Sequence, residues 1–303
     1  MRGGGTRQDY AASAAAALHA ILDWYAVHGR DLPWRRPECS AWGVFVSEVM
    51  LQQTPVARVE PVWREWLARW PTPADLTAQS PGDAVRAWGR LGYPRRALWL
   101  HEAARIIVAE HDGMVPHEED VLRSLPGVGP YTAAAVAAFA YGRRTVVVDT
   151  NVRRVQGRLV SGAALPARSL TAAESALAAR LAPTDPADSV AWNVACMELG
   201  ALVCTARAPR CETCPVADRC AWRLAGSPAY DGPPRRGQPW IGTDRQCRGA
   251  LLQMLRTASG PVPAQRLATA WPTGSPQRDR CLASLIEDGL VTPLDGDRYD
   301  LPQ

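Results

Sequence analysis

The chain has 303 residues, 47% of them apolar and 21% charged, with a formal net charge of +4, the composition of an ordinary soluble globular protein with a second, small domain. All 34 basic residues are arginine, so covalent chemistry through a lysine Schiff base is excluded, and only the N-terminal amine is left to substitute for it. No apolar run is long enough to span a bilayer, and eight cysteines without a secretion signal point to a reducing, cytoplasmic compartment without disulfides.

The glycine-rich start, Gly3 to Gly5, is expected to be disordered, which sets residues 1–8 apart from the folded chain. Ala11 to Leu22 is alanine-rich, carries His19 and runs into Asp23 without a cleavage pattern, so it reads as a first helix and not as a signal peptide. Helical patterns broken by proline and glycine continue to about Leu224, which predicts a nearly all-helical domain over 9–225. Ala41 to Gln53 (AWGVFVSEVMLQQ) is apolar nearly all round, the mark of a buried helix, and Glu48 shares a face with Val44, Phe45 and Leu51. Burial there would strip the carboxyl of water and keep it protonated, which suits it to donate a proton. A buried acid bonded to a backbone group or an arginine would give the same pattern.

Leu125 to Val136 reads LPGVGPYTAAAV, a glycine hairpin opening onto a helix. Gly127 and Gly129 lack side chains, so successive N–H groups can crowd against a DNA phosphate where the next helix presents its positive dipole end. Such a contact grips a backbone without reading bases. A tight turn between two core helices is the plainer alternative. Thr145 to Val148 is β-branched but too short and isolated for a sheet, and reads as an extended approach to Asp149. Asp149 precedes Thr150 and Asn151 as the expected N-cap of a helix over 151–159, a place that favours the ionised carboxylate at neutral pH. One protonated and one ionised acid suit cleavage of a glycosidic bond, where the leaving group needs a proton and the sugar becomes an oxocarbenium-like cation.

Positive charge gathers in two segments: Arg143 to Arg158 holds five arginines, Arg153 among them, against Asp149, and Cys204 to Trp240 holds six against three acids. That distribution is expected of a face that neutralises phosphates. Cys204, Cys211, Cys214 and Cys220 follow the spacing C-x6-C-x2-C-x5-C, a single compact four-thiolate loop that suits a 4Fe-4S cluster better than the separated knuckles of a zinc ribbon. Cys39, Cys196, Cys247 and Cys281 lack this spacing and read as core or surface thiols. Residues 226–240 form a linker by composition, with Arg235 and Arg236 in reach of a phosphate. Beyond it, helical patterns at Gln246 to Arg256, Ala264 to Ala270 and Gln277 to Asp288 precede a hairpin signal at Asp295-Gly296. Residues 241–303 are therefore expected to form a small winged-helix-like α+β domain, suited equally to DNA binding and to packing.

Together, LPGVGPYTAAAV, VVVDTNVRRV, VSEVMLQQT and the four cysteines resemble the helix-hairpin-helix DNA glycosylases, and among them the adenine DNA glycosylases of the MutY family, over about Asp23 to Trp222. The resemblance implies a mainly α glycosylase fold with a 4Fe-4S loop at 204–220. It implies an enzyme, acting as a monomer on double-stranded DNA, that flips out and excises adenine mispaired with 8-oxoguanine or guanine. Glu48 would protonate the adenine ring, Asp149 would stabilise the sugar cation and Asn151 would position it. Tyr131 stands where a related glycosylase/lyase family carries its Schiff-base lysine, which implies an abasic product without strand cleavage. Gln53 in LQQT and Tyr93 in LGYPRRA match residues that wedge into the base stack, and Arg30, Trp34 and Arg35 in RDLPWR match the wall of the adenine pocket. Two features depart from the family. Val194 stands where a glutamate often contacts the adenine, and the usual Nudix-like C-terminal domain that helps read 8-oxoguanine is replaced by the winged-helix candidate. Two other readings remain: an endonuclease III-like glycosylase/lyase, which the absence of lysine opposes, and a non-enzymatic iron-sulfur DNA-binding regulator, which needs neither acid.

Overall fold

The structure is a computed structural model that describes residues 7–233, 240–272 and 274–303, with side chains from residue 16 onward. Gly3 to Gly5 and the pair Arg235 and Arg236 lie outside the described residues. In chain order the helices are α1 (Arg7–His28), α2 (Ala41–Leu51), α3 (Val56–Arg69), α4 (Pro73–Thr77), α5 (Pro81–Trp88), α6 (Arg95–Glu110), α7 (Glu119–Ser124) and α8 (Pro130–Tyr141). They continue as α9 (Thr150–Gln156), α10 (Ala172–Leu181), α11 (Pro186–Leu202), α12 (Ala221–Leu224), α13 (Asp244–Thr257), α14 (Ala264–Ala268) and α15 (Ser275–Glu287). Short strands β1 (Val262–Pro263), β2 (Thr292–Leu294) and β3 (Arg298–Asp300) form one antiparallel sheet in the order β1-β3-β2. Thr145 to Val148 forms no strand, as its length predicts. No described helix is long and apolar enough to cross a membrane.

The chain folds into two compact units, each assembled from two separated stretches: residues 1–36 with 130–233, and residues 37–129 with 234–303. In the first unit, α1, α9 and α11 bury Ile21, Val152, Val155, Trp192 and Leu199 in one cluster. Gly200 makes this approach possible, because a Cβ there would lie 2.6 Å from Asn151 Cβ, well inside contact distance. A π-helical turn, Gly157–Ser161, follows α9 and ends at Gly162 with φ +68°. The sequence pattern for a helix over 151–159 does not register this widening.

The second unit is built on tryptophan. Trp66 packs edge-on against both Trp70 and Trp88, at 4.9 and 5.7 Å between ring centroids. Trp42 and Trp63 satisfy their indole N–H groups on the carbonyls of Trp70 and Gly43. Helix starts follow local chemistry: Ser80 and Asp83 cap α5 reciprocally, with Pro81 in the first turn. The C-terminal helices α13 to α15 and the small sheet join this unit. A Cβ at Gly82 would lie 2.3 Å from the carbonyl of Pro302, so glycine is required where the chain end crosses α5. The Asp295-Gly296 hairpin forms as predicted, with Gly296 and Asp297 at φ +74° and +53°, while the pairing of β1 with β3 has no signal in a two-residue strand.

Candidate active site and nucleic-acid interface

In the second unit, α2 is buried along nearly its whole length, and Glu48 is only 4% exposed among Val44, Phe45 and the neighbouring turns. The end of α2 turns sharply into Gln52 and Gln53, the latter at φ +53°. A second loop carries Tyr93 at φ +46°, a residue 57% exposed. Both residues occupy the left-handed region that side chains avoid, so surrounding contacts must hold them there. Arg96 supplies those contacts. Its buried guanidinium donates to the carbonyls of Val49, Met50 and Gln52 at 2.8, 3.1 and 2.7 Å, and to Thr54 Oγ1 and the Gly92 carbonyl at 3.0 and 3.2 Å. Burial lowers its pKa to about 10, which still leaves it charged at neutral pH. Arg96 therefore ties the loops bearing Gln53 and Tyr93 into one piece. Sequence reasoning missed it, although a second arginine directly after Arg95 at a helix start was visible.

The glycine hairpin belongs to the same unit. Gly127 takes φ +76°, and a Cβ there would meet Trp99 at 3.0 Å, so both backbone freedom and packing require glycine. Gln52 Nε2 donates to the Gly127 carbonyl at 3.2 Å, which joins the hairpin to the first loop. Gly129 is exposed and has open space where a side chain would sit, leaving its backbone accessible.

In the first unit, Asp149 caps α9 as expected. Its Oδ1 accepts from the Val152 N–H at 2.7 Å, and its Oδ2 accepts from Asn151 Nδ2 at 2.7 Å. Its pKa is not set by the cap alone: burial is the largest influence and pushes it above its ordinary value. The bonds from Val152 and Asn151 and the charge of Arg154 pull the other way without cancelling it. Asn151 Oδ1 in turn accepts from Arg154 at 2.7 Å, and Arg154 donates to the carbonyls of Cys204 at 2.6 Å and Gly200 at 2.7 Å. The acid is thus positioned by a chain of bonds that reaches the cysteine loop. Tyr131, on the first turn of α8, packs with Ala134, Ala135 and Val147 beside the approach to Asp149.

Arg30 and Arg35 do meet, but on a residue the sequence did not flag. Glu198, fully buried on α11, accepts from the Arg30 backbone N–H at 3.0 Å, from Arg30 Nε and Nη2 at 2.5 and 2.8 Å, and from Arg35 Nη2 at 2.9 Å. Burial works against the Glu198 anion, yet these bonds hold its pKa at about 2. Glu198 lies one helical turn beyond Val194, a spacing that could have marked it. Trp34 is buried beside them, at 5% exposure. Arg153, expected to face DNA, is turned inward: it bonds Ala167 O, Ser169 O and Glu174 at 2.9, 2.7 and 2.7 Å and is 8% exposed. A buried, paired guanidinium of this kind is not offered to a phosphate.

The sequence matches the family described as HhH-GPD superfamily base excision DNA repair protein over residues 46–179, and the iron-sulfur binding domain of endonuclease III over 204–220. It is 53% identical over 283 residues to the adenine DNA glycosylase of Mycobacterium tuberculosis (strain H37Rv), covering 93% of this chain and 92% of the relative. The chain belongs to the adenine DNA glycosylase family. The human adenine DNA glycosylase is 42% identical over 221 residues, which cover 70% of this chain and 40% of the human protein. Among solved structures, a thermostable thymine-DNA glycosylase aligns with a TM-score of 0.64 at 26% identity, covering 71% of this chain and 99% of that one. A non-covalent endonuclease III-DNA complex aligns at 0.61 and 22% identity, over 74% of this chain and 99% of that one, and speaks for the fold alone.

The cysteines fit the cluster that this adenine DNA glycosylase family member carries. Cys204, Cys211, Cys214 and Cys220 line one small cavity with Arg158 and Trp222. Four thiols around one shared space suit a multi-iron group. Arg158 donates to Cys204 Sγ at 3.3 Å and lies 4.5 Å over the Trp222 ring. When bound, a 4Fe-4S cluster supplies a cross-link between the four thiolates and a centre capable of electron transfer. Without ligation, burial pushes the Cys214 thiol up to about 11 and raises Cys211 as well, so ligation must release protons.

Proposed function

We propose that this chain removes adenine paired with 8-oxoguanine or guanine from duplex DNA by hydrolysing its N-glycosidic bond, leaving an abasic site and an unbroken strand. The observation that carries the reading is Asp149, whose two oxygens are fixed by Val152 and Asn151 at the start of α9. A carboxylate held this way can face a developing sugar cation without rotating away. The activity named for the mycobacterial relatives supports the same reading.

Glu48, sealed in α2 where its anion would lose hydration, protonates a ring nitrogen of the extruded adenine. The bond between the sugar C1′ and the base nitrogen then breaks with its electron pair leaving on adenine. Asp149 stabilises the resulting oxocarbenium ion, Asn151 positions Asp149, and water adds at C1′ with its proton passing to solvent, from which Glu48 is reprotonated. Arg30, Trp34 and Arg35 form the wall of the base pocket, with the two arginines set by Glu198. Gln53 and Tyr93 wedge into the stack on loops braced by Arg96, which recovers part of the few kcal/mol that extrusion costs, about 2–4. Gly127 and Gly129 grip the backbone. Tyr131 replaces an amine nucleophile with a phenol, so no Schiff base forms at that position.

The test is a duplex bearing adenine opposite 8-oxoguanine, guanine or cytosine, with thymine opposite guanine as a further substrate, scored for strand breaks before and after hot alkali. Breaks are expected only after alkali and at adenine opposite 8-oxoguanine or guanine. Breaks before alkali, or at thymine in place of adenine, would overturn the reading.

A further inference from the structure

The chain reaches Asp149 at the start of α9 through Thr145 to Val148, a largely buried stretch that belongs to no strand. Backbone groups in such a stretch need the partners that a sheet would otherwise supply. Side chains of α11 supply them. Asn193 Nδ2 donates to the Thr145 carbonyl at 3.0 Å, and Asn193 Oδ1 accepts from the Val147 N–H at 3.4 Å. One side-chain amide thus offers the donor and the acceptor of a neighbouring strand. Ser189, one turn earlier on α11, donates to the same Thr145 carbonyl at 3.4 Å. Thr145 Oγ1 donates in turn to the Ala134 carbonyl of α8 at 2.8 Å, so the stretch is held from both sides. Asn193, Ser189 and Thr145 are all buried.

Polar side chains in so apolar a place need a physical reason. Val147 is fully buried against Ala134, Ala135 and Ala138 of α8, and it stands between Val146 and Val148. Apolar contact has no direction, so a run of valines could shift along an alanine face at little cost. Hydrogen bonds are directional and oppose that shift. α11 is also the helix on which Glu198 sets Arg30 and Arg35, and on which Gly200 packs against Asn151. A residue that ties the approach of Asp149 to α11 therefore fixes the carboxylate relative to those two arginines.

We propose that Asn193 is a positioning residue for excision, which fixes, through its two bonds to the stretch before Asp149, where that carboxylate meets the sugar. The role presupposes that Asp149 serves adenine excision. A displacement of about 1 Å at a reacting group can cost about 10²-fold in rate, and the contacts that bind the duplex stay in place. Bonds that only satisfied buried backbone groups would affect stability and leave the rate of the folded enzyme unchanged.

The experiment compares the full chain with Asn193→Leu, which is close in size and removes both bonds. Three quantities are read: hydrogen exchange of the Thr145 to Asp149 amides, single-turnover excision of adenine opposite 8-oxoguanine, and affinity for a duplex carrying 2′-fluoro-2′-deoxyadenosine, which resists cleavage, opposite 8-oxoguanine. Asn193→Leu is expected to speed exchange in that stretch by about 10-fold or more. It should slow excision by about 10²-fold and change affinity by less than about 3-fold. Ile21→Ala, a core truncation elsewhere in the same unit, shows what lowered stability alone does, and should keep excision within about 3-fold of wild type. Unchanged exchange, excision by Asn193→Leu at the wild-type rate, or a loss matched by Ile21→Ala or by an equal loss of affinity would overturn the proposal. Asn193→Ser, smaller and still polar, carries the same measurements if Asn193→Leu does not fold. A wild type inactive on adenine would refute the catalytic reading of Asp149 itself, whereas an active wild type with an equally active variant would refute only the role of Asn193.

Discussion

Asp149 is pulled two ways, by burial that disfavours its anion and by donors that favour it, and the balance leaves its pKa above the ordinary aspartate value. If excision uses the Asp149 anion, as proposed, kcat/KM should fall as pH drops through that raised pKa. Asn151→Ala removes a donor to the anion and should move the acid limb of the pH profile up by about one unit; a limb that stays in place would show that Asn151 does not tune the acid. Glu198 is the opposite case. Its pKa of about 2 lies below the reference 4.5, so its pairing with Arg30 and Arg35 adds stability above about pH 4.5 and loses it as pH falls toward 2. Glu198→Gln should therefore destabilise the protein by about 2 kcal/mol at pH 7, allowing for the partial exposure of both arginines. Thermal melts should show the gap between variant and wild type closing at pH 3, and a gap of constant size would contradict the ion-pair account.

At the scale of elements, Arg96 is the brace between the end of α2 and the loop before α6. Arg96→Met keeps the volume but strands three carbonyls at the end of α2, and should cost about 3 kcal/mol in urea unfolding. A loss under about 1 kcal/mol would mean that the loops hold themselves. The cysteine loop makes a separate claim: protein purified without added metal should carry about four irons per chain, and stoichiometric zinc without iron would contradict it. Much of this was legible in the sequence, for identifiable reasons. Four cysteines in one short loop, an apolar run holding Glu48 and a cap residue before Thr150 each act through neighbours in sequence, and local spacing reports such neighbours. Arg96, Glu198 and Arg153 act mainly through residues from 14 to 168 positions away, and no spacing reveals which carbonyl or carboxylate a buried guanidinium will find. The sign of the Asp149 shift was hidden for the same reason, because caps are local and desolvation is set by the whole fold.

Over the whole molecule, an arginine-only cation set restricts the chemistry as much as the fold does. The chain has no lysine to offer a C1′ carbon, so Tyr131→Lys should gain an intermediate with abasic DNA that borohydride traps. The absence of any trapped species would show that position 131 does not reach the sugar. The central claim is that Glu48 and Asp149 serve one reaction as proton donor and anion. Single-turnover excision of adenine opposite 8-oxoguanine by wild type, Glu48→Gln, Asp149→Asn and the double variant tests it most directly. The account predicts a loss of about 10²-fold or more in each single variant and a double variant little worse than the poorer single, as residues acting as a unit behave. Full activity in either single variant, or losses that multiply in the double, would contradict it.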